Sequence, residues 1–328
     1  MPLFFYFIFF MSSARSKIFI GCLVYGQESA KYLPYFLPSL RAQLGDSAQV
    51  LILDNGPADF QGSGEYIKKN FPEIAYERAE SNLGFARGHN YLLGRARAAA
   101  AQYYLALNPD LILGADAVKI LSARLGREST LGAVSPKILR WDFIRQQKTN
   151  IIDSGGIVMK AGLRFFDLAQ GEPDRGQVDN AQILGPSGAA GFYRLSALEQ
   201  IKDREAYFDE DMFMYKEDCD LAYRLRRAGW QSVCESKALV WHDRSIGGAG
   251  QSVWSIVRNR AAKDRTAKIW SFYHQHIIFG KYWSEQAWLG KIAILAYAGQ
   301  MFFFTLLFEP YLLRQYLCWW SWRRARAR

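Results

Sequence analysis

Cysteine is sparse in this sequence, and Cys22, Cys219, Cys234 and Cys318 form no C-x-x-C pair. That argues against a zinc framework. Isolated thiols suit a reducing compartment, so the expected location is cytoplasmic. No G-x-G-x-x-G follows the first expected strand, where Gly21 and Gly26 have the wrong spacing, which argues against a dinucleotide oxidoreductase. No repeat at solenoid periods is present. Acidic residues are scarce at one end. Residues 252–328 hold 12 Lys/Arg against three Asp/Glu, so this quarter carries +9 of the net +10. No nucleic-acid-binding motif accompanies that charge, and nucleic acid is not an expected partner.

What is present is a large apolar reserve. Half of the 328 residues are apolar and 15% are aromatic, enough for one large α/β domain with an appendage. Three parts are expected: an apolar N-terminal segment (1–15), an α/β domain (16–250) and a basic, aromatic helical tail (251–328). Leu3 to Met11 is too short to span a bilayer. It reads as a membrane-dipping anchor or as residues upstream of a true start at Met11. The tail reads as a membrane-surface element facing anionic lipid. Within it, Ile292 to Phe308 is uncharged for 17 residues, the lower limit for a span. Pro310, Arg314 and the run Trp319-Trp320-Ser321-Trp322-Arg323-Arg324 favour helices lying in the interface.

Apolar runs and helical spacings alternate along the first half. Strands are expected at Lys17–Tyr25, Val50–Leu53, Ile74–Tyr76, Tyr103–Leu107 and Leu131–Val134. Helices are expected at Tyr32–Leu44, Tyr66–Phe71, from the Asn82–Gly88 turn to about Ala101, and at Ala117–Leu125. Alternation of this kind predicts βαβ units and a mostly parallel sheet. Asp142 to Asp179 breaks the pattern and reads as an inserted ribbon with a hairpin near Ile157 to Phe166. Two further short strands are expected at Gln231–Cys234 and Ala238–Trp241.

The chemistry-bearing residues cluster at strand ends. Pro109 has no N–H for a ladder, so the fourth strand stops at Asn108 and Asp110 lies just past it. Asp54 also follows a strand. Ligands of open α/β sheets bind at that edge, and a carboxylate there can hold a hard divalent cation that in turn holds a diphosphate. Glu217, Asp218 and Asp220 crowd the start of a helix that Gly229 ends. The dipole accommodates one or two carboxylates; three ask for a cation or a basic group nearby. His242 follows a strand and precedes the Gly247–Gly250 run, which suits a cation site. The small-residue run Gly185 to Gly191 allows close backbone approach to a ligand.

In order, Val24-Tyr25, Leu53-Asp54-Asn55-Gly56, Ser81 to Asn90, Leu107-Asn108-Pro109-Asp110, Gly188-Ala189-Ala190-Gly191, Tyr215 to Leu221 and Trp241-His242 resemble family 2 glycosyltransferases. The similarity is greatest to the rhamnosyltransferase-like branch of bacterial surface polysaccharide synthesis. The resemblance implies a GT-A fold and inverting transfer from a nucleotide-diphosphate sugar with Mg²⁺ or Mn²⁺. It implies a polyprenyl-diphosphate-linked glycan acceptor, met at the cytoplasmic face of the inner membrane. Asp110 resembles the last Asp of the family's metal motif, with Asn108 in place of the first Asp, and His242 the second protein ligand. Val24, Tyr25, Asp54, Asn82, Gly84, Arg87 and Asn108 resemble donor contacts. Asp218 resembles the catalytic base with Glu217 beside it, and Gly188 to Gly191 the acceptor-side wall. His89 is given no role. An oligomer is allowed but not specified. The competing reading is a non-catalytic membrane-bound scaffold with a transferase-like domain.

Overall fold

The computed structural model describes residues 17–45, 47–244 and 264–326. The N-terminal apolar segment, the Gly247–Gly250 run and the start of the basic tail, Ile256 included, lie outside the described residues. Twelve described strands follow in chain order: β1 (Ile18–Val24), β2 (Ala48–Asp54), β3 (Ala75–Arg78), β4 (Tyr103–Leu107), β5 (Leu111–Leu113), β6 (Leu131–Asp142), β7 (Gln147–Ser154), β8 (Ile157–Lys160), β9 (Arg164–Asp167), β10 (Gln182–Ile183), β11 (Ala190–Arg194) and β12 (Gln231–His242). The central sheet runs β10-β12-β6-β11-β4-β1-β2-β3, with β5 added to β12 and β7 to β6; β8 and β9 form a separate hairpin.

The half β4-β1-β2-β3 is parallel throughout, as the βαβ alternation predicts. Strands β4, β1 and β2 are apolar on both faces because helices cover both, while the edge strand β3 is more exposed. Helices Leu33–Arg41 and Ala117–Arg127 bury Leu33, Phe36, Leu37, Leu40, Leu121 and Leu125 on one side. On the other, helices Gly84–Ala98, Leu195–Ile201 and Glu217–Arg227 bury Leu92, Leu93, Leu198, Leu221 and Leu225. Each such side chain contributes about 1.5–3 kcal/mol, so the site rests on a rigid floor. In the second half β11 runs antiparallel to both β4 and β6, because the chain re-enters the sheet from the small-residue loop at the strand-end edge. The two short strands expected after Gln231 are one strand, β12, whose register against β6 shifts between Glu235 and Leu239. The inserted ribbon is β7 with the β8–β9 hairpin.

The described helices of the basic tail pack on the α/β part. Helix Arg265–Tyr282 begins where the Asp264 carboxylate accepts the Thr266 and Ala267 N–H groups, an N-cap. It buries Ile277, Ile278, Phe279 and Tyr282 against Met212, Cys219, Ala222 and Tyr223. It therefore shares a core with helix Glu217–Arg227. Helix Trp288–Phe308 follows and packs through Ile294, Tyr297, Ala298 and Met301 onto the same cluster.

Candidate active site

Antiparallel pairing of β5 with β12 sets Leu111 opposite His242. The Asp110 carbonyl consequently accepts the Asp243 N–H at 3.0 Å. Asp110 Oδ2 comes to 3.3 Å from His242 Nε2. The other ring nitrogen, Nδ1, lies 2.8 Å from Oδ2 of Asp153, a fully buried residue of β7. Asp153 also pairs with Arg244 Nε at 2.9 Å, and Arg244 Nη1 donates to Asp167 Oδ2 at 3.0 Å. Burial pushes the His242 imidazole toward neutrality. The carboxylates of Asp110 and Asp153 outweigh it and raise its pKa to about 10. Burial opposes the charge of Asp153 too, yet His242, Arg244 and Arg140 hold its carboxyl below the usual range.

On the neighbouring loop, the Asn108 N–H donates to the Ala189 carbonyl at 2.9 Å. One residue earlier, the Gly188 N–H donates to Asp218 Oδ2 at 2.9 Å. A Cβ on Gly188 would stand 3.2 Å from that oxygen, so the bare backbone suits this approach. Asp218 lies in the first turn of helix Glu217–Arg227, entered through Tyr215 and Lys216 with φ of 69° and 76°. Two successive non-glycine residues in this left-handed region store strain, and the surrounding packing holds them. Burial raises the Asp218 pKa against the stabilising Gly188 N–H, and Asp167 raises it further. Glu217 is buried, and burial followed by the charge of Asp218 lifts its carboxyl well above the usual range. One member of the pair is thus favoured as the acid and the other as the carboxylate.

The two clusters flank the same end of β4, Asp110 following it and Gly188 preceding its antiparallel neighbour β11. Asp167, Asp153 and Asp218 all act on the charge of Arg244, while Asp110 and Arg244 both act on Tyr215. Asp153 and Asp167 escape a reading of the sequence. Arg244, two residues past His242, and Lys216, inside the Tyr215–Leu221 run, carry a local signal but no role there. The other expected donor contacts take local partners. Asp54 is fully buried, its oxygens accepting from the Gly56 N–H and the Tyr76 hydroxyl, each at 2.7 Å. Asn82 Oδ1 accepts the Gly84 N–H at 2.9 Å and so closes the start of helix Gly84–Ala98. Gly84 has φ +69°, and a Cβ there would stand 2.5 Å from the Phe213 carbonyl oxygen. The Val24 carbonyl accepts the Asn55 N–H at 2.8 Å. Tyr25 is exposed. Arg87 pairs with Glu210 at 3.3 Å on the surface. Ala190 and Gly191 are the first two residues of β11, opposite Leu107 and Ala106.

Among the described residues no group of three or more His, Cys, Asp or Glu is arranged to hold a metal ion by itself. The Asp110–His242 pair fits a divalent cation as a partial site. Asp110 Oδ1 is buried without a hydrogen-bond partner, and His242 is oriented through its second nitrogen by a carboxylate, as metal-bound histidines are. Mg²⁺ and Mn²⁺ are suited to such sparse protein ligation, phosphate oxygens and water completing the shell.

No family model matches the chain. An N-acetylglucosaminyl-diphospho-decaprenol L-rhamnosyltransferase of Mycobacterium tuberculosis, found in two strains, is 27% identical over 231 residues, 65% of this chain and 72% of the relative. The mannosyltransferase PcManGT of Pyrobaculum calidifontis, solved in complex with GDP-Man and Mn²⁺, is similar with a TM-score of 0.52 at 16% identity, over 95% of this chain and 76% of that one. GalNAc-T7, solved with UDP, GalNAc and Mn²⁺, gives a TM-score of 0.54 at 13% identity, over 79% of this chain and half of its own length. The two structural likenesses concern the fold.

Proposed function

From a chain that is a glycosyltransferase of the GT-A fold, consistent with family 2, we propose an inverting, metal-dependent L-rhamnosyltransferase. The donor is a nucleoside-diphosphate sugar. The acceptor is a hydroxyl of a glycan, N-acetylglucosamine in the relative, carried on a polyprenyl diphosphate. The observation that carries this reading is the convergence of Asp110–His242 and Gly188–Asp218 on one sheet edge, with Arg244 coupled to both. Residues 16–250 are the transferase domain, and the C-terminal helices brace it at the cytoplasmic face of the membrane.

Asp110 and His242 would hold Mg²⁺ or Mn²⁺, which would supply positive charge against the leaving diphosphate. Asp153 keeps His242 oriented. Asp218 accepts the proton of the attacking hydroxyl, and its raised pKa brings it toward the operating pH of a general base. The hydroxyl oxygen bonds to the anomeric carbon as the bond to the diphosphate oxygen breaks on the opposite face. Glu217 stays protonated beside Asp218, which confines the negative charge to the base. Gly188 to Gly191 wall the acceptor side. Asp54 contributes to the nucleoside end through the Gly56 and Tyr76 groups it fixes, and Asn82, Gly84, Arg87, Asn108, Val24 and Tyr25 line the donor side.

The membrane reading is supported by helix Trp288–Phe308. It is long and apolar enough to cross a bilayer, yet it is docked on the protein along one face while Leu289, Ile292, Leu295, Phe303 and Leu307 stay exposed on the other. A helix held that way lies against the lipid surface. A panel of nucleotide sugars tests the function. Metal-dependent hydrolysis or transfer of one nucleoside-diphosphate sugar, rhamnose being expected, supports it; no turnover of any of them with either metal rejects it.

A further inference from the structure

Lys216 stands directly before Glu217 and Asp218. Its ammonium lies 5.5 Å from the centroid of the Phe165 ring, and among the described residues no carboxylate comes within ion-pair distance of it. Arg164, next to Phe165 on β9, is likewise without a carboxylate. Its guanidinium carbon sits 4.8 Å over the Tyr297 ring and 5.5 Å over Phe166, and its Nε is buried with no hydrogen-bond partner. Arg164 and Phe165 are consecutive on β9, so the two cations are held by adjacent residues of one strand. Other cations of the region are paired. Arg244 meets Asp153 and Asp167, and Lys281 meets Asp209 and Asp220, each at 2.6 Å. Two shielded cations left on aromatic faces are incompletely satisfied, and an anion would complete them.

Their position says which anion. Lys216 is two residues from Asp218 in the chain. Arg164 lies on Tyr297 of helix Trp288–Phe308, whose outer face exposes Leu289, Ile292, Leu295 and Leu307. A prenyl-diphosphate glycan has three parts in the same order: a sugar hydroxyl for the base, two phosphates, and a chain for the lipid. We propose that Lys216 and Arg164, held on the Phe165 and Tyr297 rings, form a subsite for the diphosphate of the acceptor lipid, separate from the donor diphosphate subsite at Asp110 and His242. This deepens the transferase reading and rests on it for the identity of the acceptor.

Binding of farnesyl diphosphate to the full chain in detergent, followed by titration calorimetry, tests the subsite. Loss of one charge-assisted contact is expected to weaken it by about tenfold or more in Lys216→Met and in Arg164→Met. Lys216→Arg should keep most of the affinity. Binding of UDP, GDP and dTDP with Mg²⁺ should stay within about twofold of wild type in both Met variants, since the lost charge-assisted contact is to the acceptor's phosphates and not the nucleotide's. Farnesyl alcohol should bind wild type and variants alike, which separates the phosphates from the chain. Unchanged farnesyl diphosphate affinity in both Met variants, or parallel loss of nucleotide and farnesyl diphosphate, overturns the subsite. A chain that shows the Lys216 dependence but turns over no nucleotide sugar keeps the subsite and loses the transferase reading. A chain that transfers sugar but binds no farnesyl diphosphate does the reverse. Thermal melting identifies a variant that fails to fold, and the other substitution then decides.

Discussion

Asp153 contributes to the site without facing the substrate. It holds His242 Nδ1 at 2.8 Å and so presents Nε2 beside Asp110. Removal of such a carboxylate behind a metal-binding histidine typically weakens metal affinity about 10–100-fold. That is the expectation for Asp153→Asn, read from Mn²⁺ binding by the protein without substrate; unchanged affinity would leave Asp153 a purely structural role. His89 gives a second residue-scale prediction. It is buried with Nδ1 2.7 Å from the Tyr104 hydroxyl, and burial lowers its pKa from 6.5 to about 3. A histidine with a depressed folded pKa takes up its proton first in the unfolded chain. Stability is therefore intact above pH 6.5 and falls by about 1.4 kcal/mol per unit as pH drops from 6.5 toward 3. Urea denaturation of His89→Asn should show a shallower pH slope there than wild type, and equal slopes would contradict the assignment. Asp110, Asp218 and His242 were legible in the sequence because each stands beside a strand or helix end that its neighbours announce. Asp153 was not, since nothing local to Asn150-Ile151-Ile152-Asp153 marks it; only the fold of β7 onto β6 brings it to the imidazole.

At the scale of elements, the helix that carries Asp218 is fixed from below. Asp220 is fully buried and accepts from Arg224 Nε at 2.8 Å and from Lys281 and Tyr282 at 2.6 Å each. Lys281 and Tyr282 belong to helix Arg265–Tyr282, whose His274 Nδ1 also lies 2.8 Å from the Tyr215 carbonyl. The C-terminal helix thus holds both the strained entry to helix Glu217–Arg227 and its first turn. Leaving the cations without Asp220 should cost about 3–5 kcal/mol, and Asp220→Ala should lower the unfolding free energy by that order in urea titration. A loss below about 1 kcal/mol would place the network among weakly coupled surface pairs. Strands β1, β2 and β4 were legible because buried parallel strands are continuous apolar runs with helical periodicity between them. Tyr103–Leu107 carries such a run through to Asn108 and Pro109. The antiparallel β11, the continuity of β12 across Lys237 and the docking of helix Arg265–Tyr282 were not legible. Each depends on pairing or packing with residues far away in sequence, and the tail's charge masks its buried face.

For the whole molecule, a nearly neutral first three quarters is joined to a basic end with an exposed apolar stripe, a combination that favours anionic lipid surfaces. The protein should co-sediment with anionic vesicles, less so at high salt. Replacing Leu295, Phe303 and Leu307 together by Ser should cut that binding by at least about tenfold, since each buried apolar side chain contributes on the order of 1.5–3 kcal/mol. Retained sedimentation would move the anchor elsewhere in the chain. The charge asymmetry was plain in the sequence, whereas the side of helix Trp288–Phe308 that stays open follows only from how the β8–β9 hairpin and helix Arg265–Tyr282 cover the other. The account as a whole stands on carboxylates and an imidazole from distant segments sharing one cation and one proton acceptor. Its most direct test is calorimetric binding of the nucleoside-diphosphate sugar with Mn²⁺, paired with turnover, across three variants. Asp110→Asn and His242→Ala should lose metal-dependent donor binding, while Asp218→Asn should bind the donor as wild type does and transfer nothing. Full transfer by Asp218→Asn, or undiminished metal-dependent binding by Asp110→Asn, would contradict it.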